Sequence, residues 1–238
     1  MKDHQNPLEI SPLFLILTCF FITCLLVSNI IAEKLIDIYG IALPAAVILF
    51  PITYIFGDIL TEVYGYRLTK IAIWLGFGMN LFMSLIFVIT IKLPYPAFWS
   101  NQEAYSNILG VIPRIVAASL IAYLAGELLN SMVLSKLKVI TEGRWLWLRT
   151  IGSTIVGQAV DSLLFITIAF LGSISLDSLF NMFLAQYLFK VFYEVLATPL
   201  TYLIVTQIKR IEKIDIYDRD ISYNPLLLWR RNDESKSI

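Results

Sequence analysis

Charged and amide side chains lie inside stretches of this sequence that are otherwise long and apolar. They are Asp58, Asn80, Glu127, Gln158, Asp161, Gln186, Lys190 and Glu194. An ionised side chain at the centre of a membrane-spanning helix costs roughly 2.5 to 3.5 kcal/mol on insertion scales, so such groups usually face an internal cavity and mark a solute pathway. The chemistry that they indicate is polar recognition of a small solute inside a membrane.

Four of the apolar stretches carry their polar residues on one helical face, because residues three or four positions apart share a face of an α-helix. The stripes are Tyr54, Asp58 and Glu62; Tyr123, Glu127 and Asn130; Gln158 and Asp161; and Gln186, Lys190, Glu194 and Thr198. A helix that faces lipid gains nothing from such a stripe, whereas a bundle around a hydrated pocket requires one. Tyr54, Tyr187 and Tyr193 add rings that can stack on a flat ligand.

Simpler structural roles stand beside the binding role. Lys190 and Glu194, at positions i and i+4, can neutralise each other within one helix, and Glu62 can pair with nearby Arg67 at the interface. Asn29 and Asn80 can hold two helices together by hydrogen bonds. The other intramembrane carboxylates exceed the one lysine that can balance them, so some must be protonated, hydrated or paired with a cationic ligand.

The candidate substrate-binding residues share a polar or aromatic side chain inside a predicted span. They are Asn29, Tyr54, Asp58, Asn80, Glu127, Gln158, Asp161, Gln186, Tyr187, Lys190, Tyr193 and Glu194.

Composition places the chain among membrane proteins. Of its 238 residues, 58% are hydrophobic and 15% are charged, and the mean hydropathy is +0.76. Soluble domains are about 45 to 50% apolar and about a quarter charged. We therefore predict an all-α polytopic membrane protein, with residues 1–238 forming one integral membrane transport domain.

Six segments are long enough to cross a bilayer, since a span needs about 20 mostly apolar residues for about 30 Å of hydrocarbon. They are 12–31, 43–60, 70–92, 112–134, 151–172 and 179–208, followed by a tail at 209–238. The second is interrupted by Pro44, Pro51 and Gly57, as in transporters whose binding sites lie at broken helices. Pro199 is expected to kink the last span. Two blocks of three spans would form an inverted repeat.

The distribution of lysine and arginine predicts the orientation. If both termini lie on one side of the membrane, that side collects most of the basic residues. The other side keeps only Lys34, Lys92 and Arg114. This asymmetry predicts that both termini are cytoplasmic.

Several chemistries are set aside. The only histidine, His4, precedes the first span, which excludes a His-based triad or a His-ligated metal site. Cys19 and Cys24 share one helix at a spacing that does not permit a disulfide. No nucleotide-binding loop is present, and the basic residues after the last span suit a lipid surface better than nucleic acid. We predict no catalytic residue, no metal, no cofactor and no nucleic-acid partner.

Seven runs of residues follow one another along the chain in the order of a known family. They are Ser28-Asn29-Ile30-Ile31-Ala32 with Lys34; Phe50-Pro51-Ile52-Thr53-Tyr54 leading to Gly57-Asp58; Thr61-Glu62-Val63-Tyr64-Gly65-Tyr66; Gly157-Gln158-Ala159-Val160-Asp161 with Phe165; Gln186-Tyr187 with Lys190; Thr198-Pro199-Leu200-Thr201-Tyr202; and Asp215-Ile216-Tyr217-Asp218 with Asn224-Pro225. In these runs the chain resembles the queuosine precursor transporter family, formerly named a vitamin uptake transporter family.

The resemblance implies uptake of a 7-deazaguanine across the inner membrane for tRNA modification: the cyano precursor preQ0, the aminomethyl precursor preQ1 or queuine. A guanine-like edge has two adjacent N–H donors that a carboxylate can accept, and a carbonyl oxygen that accepts from an amide or ammonium group. The carboxylate candidates are Asp58, Glu127 and Asp161, and the donor candidates are Gln158, Gln186 and Lys190.

Two other classes of protein stay open. The chain could be the substrate-binding membrane subunit of an energy-coupling-factor importer, in which case ATPase and coupling subunits would co-purify with it. It could instead be a membrane scaffold whose buried polar groups only hold helices together, and deazaguanines would then give no thermal stabilisation. The sequence is compatible with proton coupling and with facilitated diffusion, and with any oligomeric state.

Overall fold

The computed structural model describes residues 11–31, 34–38, 41–110, 113–172, 175–219 and 221–227. Its elements are α1 (Pro12–Ile31), β1 (Leu35–Ile38), β2 (Ile41–Pro44), a short 3₁₀ helix (Ala45–Ile48), α2 (Phe50–Lys92), α3 (Gln102–Leu109), α4 (Pro113–Ile140), α5 (Leu146–Phe170) and α6 (Leu176–Glu212). In the part of the chain described, five helices are long and apolar enough to cross a membrane, namely α1, α2, α4, α5 and α6. The chain is therefore an α-helical, multi-pass membrane protein.

Helix α2 reverses its direction at Gly65, whose φ of 79° and ψ of 166° are not helical. The ring of Phe21 on α1 lies beside residues on both sides of this break. A Cβ added to Gly57 would come within 3.9 Å of that ring, and one added to Gly76 within 3.6 Å. In a continuous helix these two glycines would be about 28 Å apart. Helix α2 is thus a hairpin with a first arm, 50–64, and a second arm, 66–92.

The observed helices differ from the predicted spans at several boundaries. The second predicted span, 43–60, is wrong at its start, because residues 43–49 belong to β2, the 3₁₀ helix and the residue that precedes α2. The second and third predicted spans correspond to the two arms of α2, joined at Gly65 rather than by a loop. Helix α6 continues through Pro199 to Glu212, so the first residues of the predicted tail, 209–238, are helical.

A short antiparallel hairpin is the departure from the all-helical prediction. Strands β1 and β2 pair with Leu35 opposite Pro44 and Ile38 opposite Ile41. Isoleucines at positions 36, 38 and 41 favour extended backbone, because β-branched side chains fit a pleated surface. The hairpin and the 3₁₀ helix thus lead from α1 to the start of the first arm.

Five charged residues meet where the turn of α2, the end of α4, the start of α5 and the end of α6 come together. This charge cluster consists of Glu62, Lys138, Arg149, Lys209 and Asp215. Arg149 donates from Nη2 to Oε1 of Glu62 at 2.7 Å and from Nε to Oε2 at 3.1 Å. Lys209 donates to the same carboxylate at 2.7 Å. The predicted pairing of Glu62 with Arg67 is wrong, because the fold brings more distant cations to Glu62.

The cluster holds the segment that follows α6. Asp215 accepts from Lys138 at 2.6 Å and from Lys209 at 2.8 Å. Partial burial alone would raise the pKa of Asp215, but hydrogen bonds from both lysines and their charges outweigh it and hold the pKa below its ordinary value. Lys138 also donates to the carbonyl oxygen of Ile216 at 2.6 Å.

The rest of this segment packs against the turn of α2. Asp218 accepts from the backbone N–H of Tyr66 at 2.6 Å and from the hydroxyl of Ser135 at 2.5 Å. Lys70 donates to the carbonyl oxygens of Asn224 at 3.0 Å and Leu227 at 2.8 Å. Asp218 thus satisfies one backbone donor at the hairpin turn, and Lys70 ties the later residues of the tail to the second arm.

Gly65→Ala is expected to lower the stability of the folded protein by roughly 1 to 3 kcal/mol. Its backbone conformation is one that essentially only glycine adopts, and an added Cβ would lie 2.8 Å from Oδ1 of Asp218. Thermal unfolding of the purified protein in detergent would measure the loss. Gly78→Ala is the matched control, since a Cβ there meets nothing within 4 Å. Equal melting temperatures for the two variants would contradict the prediction.

Candidate functional site

A cavity of about 580 Å³ lies among α1, both arms of α2 and helices α3 to α6. Much of its wall is apolar, with side chains such as Leu81, Phe87 and Phe165. Eight of the twelve predicted binding residues line it, namely Asn29, Tyr54, Asn80, Glu127, Gln158, Asp161, Gln186 and Lys190. The fold thus brings polar residues from five helices to one cavity.

Close contact between α4 and α5 aligns the polar wall. A Cβ on Gly126 would lie 3.1 Å from the carbonyl oxygen of Gly157, and a Cβ on Gly157 would lie 2.9 Å from that of Gly126. The two helices therefore touch backbone to backbone at this crossing. Glu127 and Asp161, which neighbour the contact in sequence or space, come to face the same cavity as a result.

An ion pair crosses the cavity from α5 to α6. Lys190 Nζ donates to Oδ2 of Asp161, and their side chains are 13% and 16% exposed. The same ammonium lies 5.9 Å from the ring centroid of Tyr54 on the first arm of α2, within cation–π range. The predicted alternative, in which Lys190 is neutralised by Glu194 of its own helix, is wrong because Asp161 of α5 takes that role.

Asn29 and Asn80 connect α1 to the second arm. Asn29 Nδ2 donates to Asn80 Oδ1 at 3.0 Å and to the carbonyl oxygen of Leu25 at 3.1 Å. The predicted hydrogen bonding between helices is confirmed for this pair. Because both residues also line the cavity, their predicted contact with substrate stays a prediction.

Two predicted tyrosines lie outside the cavity lining. The ring of Tyr187 stacks on Phe183 of its own helix, with centroids 5.8 Å apart and planes inclined by 6°. Tyr193 packs against the hydrophobic core formed by α1, the first arm and α6. Helical spacing predicts a shared face but not what another helix places against it. Of the three predicted stacking residues, Tyr54 is the one on the cavity wall.

Asp58 and Glu194 are also absent from the lining and lie buried behind it. Asp58 is 1% exposed and Glu194 is 2% exposed. Asn130 Nδ2 donates to Asp58 Oδ1 at 2.8 Å, which ties the first arm to α4. The two carboxyl groups therefore differ in environment from Asp161, which has a cation and an open cavity beside it.

Several acceptor oxygens at the site have no hydrogen-bond partner within the protein. Among the residues that line the cavity these are Oε1 of Gln158 and Oε1 of Glu127, and the latter packs against Gly57. A buried acceptor without a donor costs about 1 to 3 kcal/mol. Glu127 and Gln158 are therefore lining residues whose side chains have an acceptor left without a donor.

Tyr123 is a lining residue that the predicted binding set omits. Its hydroxyl donates to the carbonyl oxygen of Ile73 at 3.4 Å, across to the second arm. The signal that could have found it is its place in the stripe with Glu127 and Asn130, because one helical face carries all three.

Comparison with known proteins agrees with the resemblance read from the sequence. The family profile described as "Putative vitamin uptake transporter" matches residues 44–204. The chain is 28% identical over 176 residues to the "Probable queuosine precursor transporter" of Bacillus subtilis (strain 168), covering 74% of this chain and 77% of the relative. It is 27% identical over 154 residues to the "Queuosine precursor transporter" of Escherichia coli (strain K12), covering 65% and 67%. No solved structure gives a significant match.

The family match extends over well more than half of the sequence and includes the first arm of α2, the α4–α5 crossing and the Asp161–Lys190 pair. The resemblance to this family is confirmed. The chain belongs to the vitamin uptake transporter family, and two of the chain's relatives carry the name queuosine precursor transporter.

Proposed function

We propose that this protein imports queuosine precursors, which are 7-deazaguanines, across the plasma membrane for use in tRNA modification. The observation that carries the proposal is the family match together with the two relatives named for this substrate class. The cavity volume of about 580 Å³ falls within the usual range of small-molecule sites, about 300 to 1,000 Å³. The proposed partners of the protein are the small-molecule substrate and membrane lipid.

The chemistry of the cavity suits a guanine-like heterocycle. The side chains of Glu127 and Gln158, both on the cavity lining, can accept from the adjacent N–H donors of the ring edge. The ammonium of Lys190 can donate to the ring carbonyl, and Tyr54 offers an aromatic face for the planar ring. Asp161, beside Lys190, can accept from an aminomethyl group. These assignments of Glu127, Gln158, Lys190, Tyr54 and Asp161 form the proposed binding mode.

We also propose six membrane passages with both termini in the cytoplasm. The passages are α1, the two arms of α2, α4, α5 and α6. Support comes from the basic residues around the turn of α2 and the ends of α4 to α6, such as Arg67, Lys136 and Arg144, because positive charge favours the cytoplasmic side. The three passages before α3 and the three after it would form the inverted repeat.

Complementation tests the proposed function directly. The host would be cells that neither synthesise queuosine nor possess their own importer, fed separately with preQ0, preQ1 or queuine. We expect at least one compound to restore queuosine in tRNA at a low external concentration. No restoration by any compound, with the protein detected in the membrane, would contradict the proposal and direct attention to a missing energy-coupling partner.

A further inference from the structure

Three buried carboxyl groups next to the cavity have no cation to balance them. They are Asp58 on the first arm of α2, Glu127 on α4 and Glu194 on α6, and these residues are 1%, 3% and 2% exposed. Each has one carboxyl oxygen that is buried without a hydrogen-bond partner, namely Oδ2 of Asp58 and Oε1 of the two glutamates. Within the ranges that the structure describes, no lysine or arginine lies within ion-pair distance of them.

The three groups belong to one cluster. The carboxyl group of Glu127 fills the space where a side chain at Gly57 would lie, so it packs directly beside the residue that precedes Asp58. Asn130, one turn after Glu127 on α4, donates to Asp58 at 2.8 Å. Glu194 lies close enough for its charge to act on both Asp58 and Glu127. Only Glu127 reaches the cavity wall, so the other two are shielded behind it.

The remaining ionisable groups around the cluster do not neutralise it. The ionisable groups that interact electrostatically with Asp58 or Glu127 are Tyr54 and Glu62 on α2, Tyr123 on α4, Asp161 on α5 and Lys190 on α6. Lys190 is held by Asp161. Glu62, one turn beyond Asp58, is held by Arg149 and Lys209 in the charge cluster.

The protonation of these three carboxyl groups depends on their burial without a cationic partner. Each ionised carboxylate taken out of water without a partner costs several kcal/mol, and like charges close together add to that cost. A bound proton removes the charge and supplies an O–H donor to the group. Glu127 can exchange its proton with the cavity, while Asp58 and Glu194 can exchange protons only through the protein interior.

We propose that Asp58, Glu127 and Glu194 form a proton-binding site that couples the import of substrate to the entry of protons. The proton enters from the outside solution through the cavity to Glu127, passes to Asp58 or Glu194, and leaves to the cytoplasm. The stripe of Tyr54, Asp58 and Glu62 runs along the first arm from the cavity wall to the charge cluster and marks the exit direction. The coupling rests on the proposed function, since it needs a transported substrate.

The test uses the purified full chain in proteoliposomes with radiolabelled preQ0, which is uncharged, and with preQ1. Counterflow without any gradient measures substrate exchange alone. An acidic outside solution then drives uptake, with valinomycin and equal potassium on both sides to carry the compensating charge, while a dye in the lumen records acidification. For the unchanged protein we expect counterflow, acidification on addition of substrate, and up to about tenfold accumulation per unit of pH gradient at one proton per substrate.

Variants behind the cavity separate coupling from binding. Asp58→Asn and Glu194→Gln are expected to keep counterflow and to lose gradient-driven accumulation and lumen acidification. Glu103→Gln, an exposed residue of α3, is the matched control and should keep both activities.

Two outcomes overturn different statements. Counterflow by the unchanged protein with neither acidification nor gradient-driven accumulation overturns the coupling and leaves the proposed function standing. Counterflow of neither compound overturns the proposed function and the coupling with it. These outcomes are measured on the unchanged protein. The proposal can therefore be contradicted even if a variant fails to fold.

Discussion

Asp161→Asn is expected to lower uptake of the transported 7-deazaguanine at least about tenfold while the protein still reaches the membrane. The substitution leaves the ammonium of Lys190 in the cavity without its carboxylate partner. In the proposed binding mode both charged groups hydrogen-bond the ligand; such bonds contribute about 1.5 to 3 kcal/mol each, and tenfold in binding corresponds to about 1.4 kcal/mol. The measurement is initial uptake rate in the complemented cells, normalised to membrane abundance.

Companion variants distinguish loss of binding from loss of folding. Asp177→Asn, an exposed carboxylate in the first turn of α6, is the matched control and should leave uptake unchanged. The exchanged pair, Asp161→Lys with Lys190→Asp, should recover abundance and melting temperature but not uptake, because the charges then face the ligand in reverse. Normal uptake by Asp161→Asn at normal abundance would remove Asp161 from the binding site.

The membrane character of the fold could be predicted because it depends only on the run of consecutive residues along the sequence. A helix that crosses hydrocarbon needs about 20 apolar residues in sequence, and no knowledge of neighbours is required. The reversal at Gly65 was harder to locate. The predicted spans 43–60 and 70–92 left residues 61–69 as a connection, yet these residues are helical except at Gly65. Asp218 accepts from the backbone N–H of Tyr66 at the turn, and Lys70 donates to the carbonyl oxygen of Leu227. That contact between residues more than 150 positions apart has no local signal.

The cavity could be predicted in part for a related reason. Helical spacing identifies which polar residues share a face, and eight of the predicted residues line one cavity. Spacing does not give depth within the bundle, so Asp58 and Tyr54 appeared equivalent although one is shielded and the other lines the wall. It also does not give partners. Arg149 and Lys138 lie between the predicted spans 112–134 and 151–172, whereas the fold buries both beside Glu62.

Glu62→Gln is expected to destabilise the folded protein by about 3 to 5 kcal/mol, the usual effect of removing one partner from a buried ion pair. Glu62 and Arg149 are each 1% exposed and Lys138 is 2% exposed. Without the carboxylate, Lys138 and Lys209 would keep only Asp215, which is 43% exposed, and Arg149 would keep no carboxylate partner. Thermal or chaotrope unfolding in detergent, followed by tryptophan fluorescence, would measure the change.

A double-mutant cycle tests whether the loss comes from the stranded charge of Arg149. Arg149→Met alone leaves Glu62 with Lys209 at 2.7 Å, so it should destabilise less than Glu62→Gln. Combining the two substitutions removes both charges of the pair, and the double variant should be clearly more stable than the sum of the single losses predicts. Additive losses would mean that Glu62 and Arg149 act independently. Since the pair joins the first arm of α2 to α5, coupling between them would show that helix packing at this end depends on charge rather than on apolar contact alone.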